Sequence, residues 1–273
     1  MKQPEYTKGL ILILLSCIYL FSACIKTIEI PLVYDSKVVI ESILTQDSCY
    51  AIVSRSISYS DTSRKLVPVE DAVVLVGDGT NEDSLSYTED GVYTNSKPTI
   101  AYQYGQSYST TVTVSGKTYT ATSNLPIQNP NLNSAVISLR DTMTEDSIVL
   151  SRIGRLAINF DVRKDSKYWL RVWANGKEHK DIELYNSSVT GAITYRTDLL
   201  DLGLLSAGTS IKVMLCQLPD LTYEYLYSLL SINENIALPS IVGTYVQPIS
   251  VFDNGGLGYF AAITTDTMSL VVP

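Results

Sequence analysis

Histidine is nearly missing from this chain: His179 is the one histidine in 273 residues. A serine or cysteine nucleophile needs a base within hydrogen-bond reach, most often an imidazole. Any such arrangement here must recruit His179. That residue lies in the polar stretch Gly176-Lys177-Glu178-His179-Lys180-Asp181, beside a turn, and is expected in solvent. The same scarcity leaves a zinc centre short of ligands. Cysteine is sparse too, with four residues. Cys49 and Cys216 stand far apart inside apolar strand patterns and read as buried free thiols rather than a disulfide framework. Gly77-Asp78-Gly79 is followed by no Lys-Ser or Lys-Thr and opens no helix, so it is not a phosphate loop. Asp78, Glu82 and Asp83 lack the EF-hand glycine; Glu82 and Asp83 read as a solvated turn. Basic residues are in deficit, with 20 Lys+Arg against 28 Asp+Glu and a net charge of −8. The charges are spread evenly, which argues against nucleic acid as a partner, because phosphate backbones are met by basic stripes. No catalytic set and no metal set emerges.

Long apolar runs are also lacking, apart from one at the start. Leu10 to Phe21 follows Lys2 and Lys8 and ends in Phe21-Ser22-Ala23-Cys24. A membrane-spanning helix needs about 20 apolar residues, and Ser16 interrupts this shorter run. A positive n-region, a short apolar core and small residues before the cleavage point make a secretory signal. A cysteine at that point makes it a bacterial lipoprotein signal. Residues 1–23 are therefore expected to be removed, leaving Cys24 to carry a covalent diacylglycerol and acyl lipid, with no other cofactor. Plain secretion with cleavage near Ala23, or a retained anchor, are the weaker alternatives. Residues 24–36 read as a lipidated tether. Several acyl chains on one cysteine hold a protein on a membrane far more firmly than a single chain does.

What the chain does have is tyrosine: 19, against four Phe and two Trp. Tyrosine joins strand propensity to a polar tip and suits half-exposed sheets. The pattern after Lys37 is β. Val38–Leu44, Cys49–Val53 and Ala72–Val76 are rich in strand formers, and Thr110–Val114 and Lys117–Ala121 flank Ser115-Gly116, a two-residue hairpin signal. A Pro/Asn-rich break spans Leu125 to Pro130. Beyond it, Arg155–Val162 alternates, and Tyr168-Trp169-Leu170-Arg171-Val172-Trp173-Ala174 runs into Asn175-Gly176, the strongest short hairpin signal. Tyr223, Leu226, Tyr227 and Leu230 fall on one helical face, which predicts a helix over 221–232. Strands are expected to resume at Tyr245 and at Tyr259–Ile263. The expectation is a mainly β protein of two β-sandwich domains, residues 37–126 and a β-rich 133–273 carrying the one short helix.

The ordered features resemble a Bacteroidota lipoprotein family, domain of unknown function 4249. The likeness rests on the lipobox cysteine with Lys26, "VVIES" (Val38–Ser42), and a strand ending near Ser54-Arg55. It continues with "PVEDAVVLV" (Pro68–Val76), "DGVY" (Asp90–Tyr93) and "YGQSYSTTVTVSGKTYTATSNLP" (Tyr104–Pro126). The aromatic helix "LTYEYLYSL" (Leu221–Leu229) and "GGLGYFAA" (Gly255–Ala262) complete it. The first half also looks like immunoglobulin-like or prealbumin-like sandwiches. The resemblance implies an outer-membrane lipoprotein of the kind often encoded beside TonB-dependent receptors, and brings no catalytic residues. Acidic residues just after the lipid cysteine tend to accompany surface export in this phylum. Ile25-Lys26-Thr27-Ile28-Glu29 offers one acid, so outer-membrane attachment is better supported than outward display.

The function expected is a non-enzymatic binding or accessory module, anchored to the outer membrane and partnering a TonB-dependent transporter. A structural or adhesive lipoprotein, or a glycan or peptide hydrolase, are the alternatives. Gly255, Gly256, Gly258 and Tyr259 are the candidate binding residues, weighed against a tight turn packed closely on a neighbouring backbone.

Overall fold

A computed structural model describes residues 35–58, 66–143, 149–179, 181–199, 205–236 and 249–273. Cys24, the signal and the strand expected at Tyr245 lie outside these residues. Residues 36–273 form one compact unit, and the architecture is mainly β.

The first sheet contains β1 (Val38–Leu44), β2 (Cys49–Arg55), β3 (Val67–Pro68), β4 (Val73–Gly77), β5 (Glu82–Tyr87), β6 (Val92–Asn95), β7 (Ser107–Val114) and β8 (Lys117–Asn124). After it come β9 (Asn131–Met143), β10 (Val149–Val162), β11 (Lys167–Ala174), β12 (Lys177–Glu178), β13 (Glu183–Asn186), β14 (Gly191–Leu199) and β15 (Ser210–Leu218). The chain ends with helix α1 (Asp220–Ile236), β16 (Leu257–Ala262) and β17 (Thr264–Val271). The helix runs about one turn beyond the predicted stretch. Both predicted hairpins form. Ser115 and Gly116, and likewise Asn175 and Gly176, have positive φ at both turn positions, as the type I′ geometry requires.

The first sheet is one hydrogen-bonded path, β16-β1-β2-β6-β5-β4-β7-β8, with β3 beside β2. It curls until its ends meet, where the Ala262 N–H donates to Ser123 Oγ at 2.9 Å. Alternation explains the packing: Val38, Ile40 and Leu44 of β1, Val74 and Val76 of β4, and Tyr108, Val112 and Val114 of β7 all point into one core. Burial of Tyr93 there is made tolerable by its hydroxyl, which donates to Val69 O and accepts from the Ala72 N–H. The second core lies between the sheet β14-β10-β9 and the sheet β12-β11-β15-β17, with β13 beside β11. Leu156, Ile158, Phe160, Tyr168, Leu170, Val213 and Leu215 fill it.

The two halves are stitched by β16. It pairs parallel with β1, matching Glu41 to Tyr259 and Ile43 to Ala261. A single residue, Ile263, then separates it from β17, which belongs to the other sheet. The late strand predicted from Tyr259 to Ile263 thus completes the first sheet rather than the second. A third core fills the seam: Ile43 and Tyr259 from the first sheet, Trp169 and Cys216 from the second, Tyr225 and Leu226 from α1.

Candidate functional site

The seam between the sheets is not fully closed. Beside the third core lies a cleft of about 320 Å³. Each wall is built by strand alternation. On the first sheet, Tyr259, Glu41 and Ile52 lie side by side across β16, β1 and β2, all on the outer face. On the second, β11 sends Tyr168, Leu170 and Val172 into its own core, so Trp169, Arg171 and Trp173 emerge on the opposite face. Leu226 and Leu229 of α1 make the apolar side.

Arg171 is the fixed point. Its Nε donates to Glu178 Oε1 at 2.6 Å and its Nη2 to Glu178 Oε2 at 2.9 Å, a two-pronged pair. Its Nη1 donates to the Tyr50 hydroxyl at 3.1 Å, across the seam from the first sheet. The guanidinium lies 4.7 Å from the Trp169 ring and 4.9 Å from Trp173. Burial opposes its charge, but the hydrogen bonds and charge of Glu178 outweigh that and hold it firmly protonated. Arg171 therefore docks the two sheets, and its charge is matched by Glu178.

Glu41 is the opposite case. It sits on a central strand with its carboxylate toward the cleft, and among the described residues no hydrogen bond or ion pair reaches it. Burial pushes its carboxyl above the usual range. Its charge in turn helps burial to raise the Tyr259 and Tyr225 hydroxyls.

His179, expected in solvent, is buried: its side chain is 1% exposed, with Nε2 at 3.7 Å from both Asp181 and Glu183 carboxylates. The cause is the hairpin register: the chain pairs with β11 one residue past β12, the His179 N–H donating to Val172 O, and the imidazole is carried inward at the cleft edge. Glu183 beneath it accepts from the Tyr195 and Thr197 hydroxyls of β14. Asp83 is a second correction. It is not a solvated turn residue but lies in β5, buried, accepting from the Thr99 hydroxyl at 2.6 Å and the Ile100 N–H at 3.0 Å. Burial raises its carboxyl; the hydrogen bonds from Thr99 and Ile100 outweigh it and bring it below the usual range. Asp78 is engaged by the Thr80 and Asn81 N–H groups, an Asx turn. Cys49 and Cys216 are buried free thiols, as expected, and burial pushes both up to about 12.

Of the residues singled out near the C-terminus, Tyr259 reaches the cleft and the glycines do not. Gly258 has φ +116 and lies so close to β1 that a Cβ would stand 1.9 Å from Ile40 O. Gly255 and Gly256 belong to a turn clipped to β8: Asp253 accepts from Thr120 N at 2.6 Å, and Gly256 N donates to Asp253 O at 3.1 Å. The chain matches the family described as Domain of unknown function (DUF4249) over residues 25–269. It belongs to that family. No curated protein matches it. Within this DUF4249 chain, sequence reasoning passed over Glu41, Tyr50, Trp169 and Arg171. A signal existed. Glu41 interrupts an apolar strand, and Trp-x-Arg-x-Trp puts three large polarisable groups on one strand face.

Proposed function

We propose that this DUF4249 protein is an outer-membrane lipoprotein, anchored through Cys24, that works by binding rather than by catalysis, alongside a TonB-dependent transporter. The observation that carries the reading is the cleft. Its aromatic walls and guanidinium are fixed in advance by strand geometry, and one carboxylate in it, Glu41, lacks a partner among the described residues. Preformed concave sites with few placed polar groups are the usual form of a small-ligand site. The candidate nucleophiles point the same way. Both thiols are held protonated by burial, and Cys216 lies inside the third core rather than at an accessible surface. The anchor and tether supply proximity: confinement to the membrane raises the effective concentration of the module beside an integral partner.

The test is a pull-down of tagged protein from detergent-solubilised outer membranes, run beside Cys24→Ser. The expected result is co-purification of an integral β-barrel transporter with the wild-type chain, and loss of membrane partition in the variant. Recovery of the protein alone, together with hydrolysis of a glycan or peptide panel, overturns the reading in favour of an enzyme.

A further inference from the structure

Given that the cleft is the binding site, the structure also indicates the charge of what enters it. We propose that the cleft receives an organic cation, an ammonium or guanidinium group on an apolar body, with Glu41 as its counter-ion and Tyr259 and Tyr50 beside it.

Three observations carry this. The first is charge balance. Among the described residues, Glu41, Glu178 and Asp181 face the cleft against the Arg171 guanidinium, which is consumed by the two-pronged bond to Glu178, and the His179 imidazole, which lies 3.7 Å from Asp181 and from Glu183. The charge left over is negative. The second is the state of Glu41. A half-buried carboxylate on a central strand is normally paired or hydrogen-bonded, yet its side chain meets none of the described residues in that way. A cation supplies both the missing donor and the missing charge. The third is the aromatic surface. Tyr50 and Tyr259 line the site beside Glu41, and aromatic faces with a carboxylate are the common means of holding an ammonium group. Leu226 and Leu229 offer the apolar side for the ligand's body.

The competing occupant is a neutral sugar, which also favours aromatics and carboxylates. Two facts count against it. The Arg171 guanidinium already lies 4.7 Å from the Trp169 ring, occupying a face on which a pyranose would stack. Moreover, sugar hydroxyls would leave the negative charge of Glu41 uncompensated. An anionic ligand meets the same carboxylate with repulsion.

The experiment is direct, because the chain holds two tryptophans, Trp169 and Trp173, and both flank Arg171. Intrinsic fluorescence of the purified protein therefore reports on the cleft. The probes are phenethylamine, its neutral counterpart 2-phenylethanol, and methyl glucoside. Phenethylamine is expected to change the emission saturably and to bind at least tenfold more tightly than the alcohol. Glu41→Gln is expected to weaken the amine at least tenfold and to leave the alcohol unchanged, with Glu41→Asp intermediate. Circular dichroism shows whether each variant is folded, and calorimetric titration repeats the measurement without relying on tryptophan. Equal binding of alcohol and amine, or amine binding indifferent to Glu41, overturns the cation assignment while leaving the cleft as the binding site. Preferred binding of the glucoside replaces the cation with a sugar. Silence from phenethylamine up to millimolar concentration also overturns the assignment; the binding-module reading then stands or falls by the membrane pull-down.

Discussion

The two sheet-enclosed cores and the seam between them are built by different rules. The first two cores are apolar inside, and their few polar tips, such as Tyr93 and Tyr108, find backbone partners close by. Each is made from strands that alternate cleanly, so either core follows from period-2 patterning. The seam is made from the leftover faces of the same strands: Glu41 and Ile43 behind the first core, Trp169 and Arg171 behind the second. It holds the charge, the aromatics and the cleft. A strand face with no packing duty toward its own core is free to carry chemistry. In this protein two such faces are turned toward each other.

The largest expected effect tests whether the seam depends on close backbone approach. Gly258→Ala asks an L residue to adopt φ +116 and to place a methyl within 1.9 Å of Ile40 O. The β16–β1 pairing cannot absorb that. We expect loss of about 4 kcal/mol or failure to accumulate folded protein, read from urea unfolding. A variant of wild-type stability would show that β16 is not a structural stitch. Next comes the interior of the second core. Leu156 is fully buried, and Leu156→Ala should cost about 3 kcal/mol through lost contact and cavity formation, while amine binding at the cleft is unchanged. That separation of stability from binding is the comparison in its sharpest form.

A smaller effect is expected at the dock itself. Arg171→Met removes the partner of Glu178 and the donor to Tyr50. A fully buried pair broken this way costs several kcal/mol. Glu178 keeps about a third of its side-chain exposure, so water recovers part of it, and about 2 kcal/mol is the expected loss. The double variant Arg171→Met, Glu178→Gln should regain part of that stability, since the stranded carboxylate is gone. Equal stability of single and double variants would mean the pair contributes nothing.

The legibility of these regions in the sequence follows the same division. Strand class, both hairpins and the helix were readable because period and turn chemistry act locally: Asn175-Gly176 and Ser115-Gly116 each dictate their own backbone. The placement of β16 was not, since a parallel pairing between Glu41 and Tyr259 spans most of the chain and leaves no local trace. Burial of His179 and Asp83 was missed for a related reason. Polar residues near turns look solvated until the tertiary fold covers them, and what covers His179 is the return of β12 over β11 with Glu183 beneath it. The site was half-visible: Tyr259 was picked out through its glycine-rich neighbours, whereas Arg171 and Glu41 were read as ordinary strand residues.

The smallest expected effect is a gain, and it bears on why Glu41 is there. Glu41→Gln removes a half-buried carboxylate, unpaired among the described residues, from a central strand, replacing it with a neutral group of the same shape. In a region built for stability alone, that change would be a loss or nothing. Here it should stabilise the protein by about 1 kcal/mol at neutral pH. The sign follows from linkage. Burial raises the Glu41 carboxyl in the folded state, so the proton is held more tightly folded than unfolded. The stability this lends is full below the unfolded value near pH 4 and is lost as pH rises through the raised folded value. Wild type and Glu41→Gln should therefore melt together in acid and separate toward neutrality, with the variant higher. The other groups in the cleft do not blur the reading: Glu178, His179 and Asp181 are common to both proteins and drop out of the difference, Tyr259 and Tyr225 are both pushed upward by burial, away from neutrality, and Arg171 stays protonated beside Glu178. Thermal melts of both proteins across this pH range decide it. If the variant is no more stable at neutral pH, Glu41 is satisfied in the free protein. If it is more stable and also loses the amine, the carboxylate is a stability cost retained for binding.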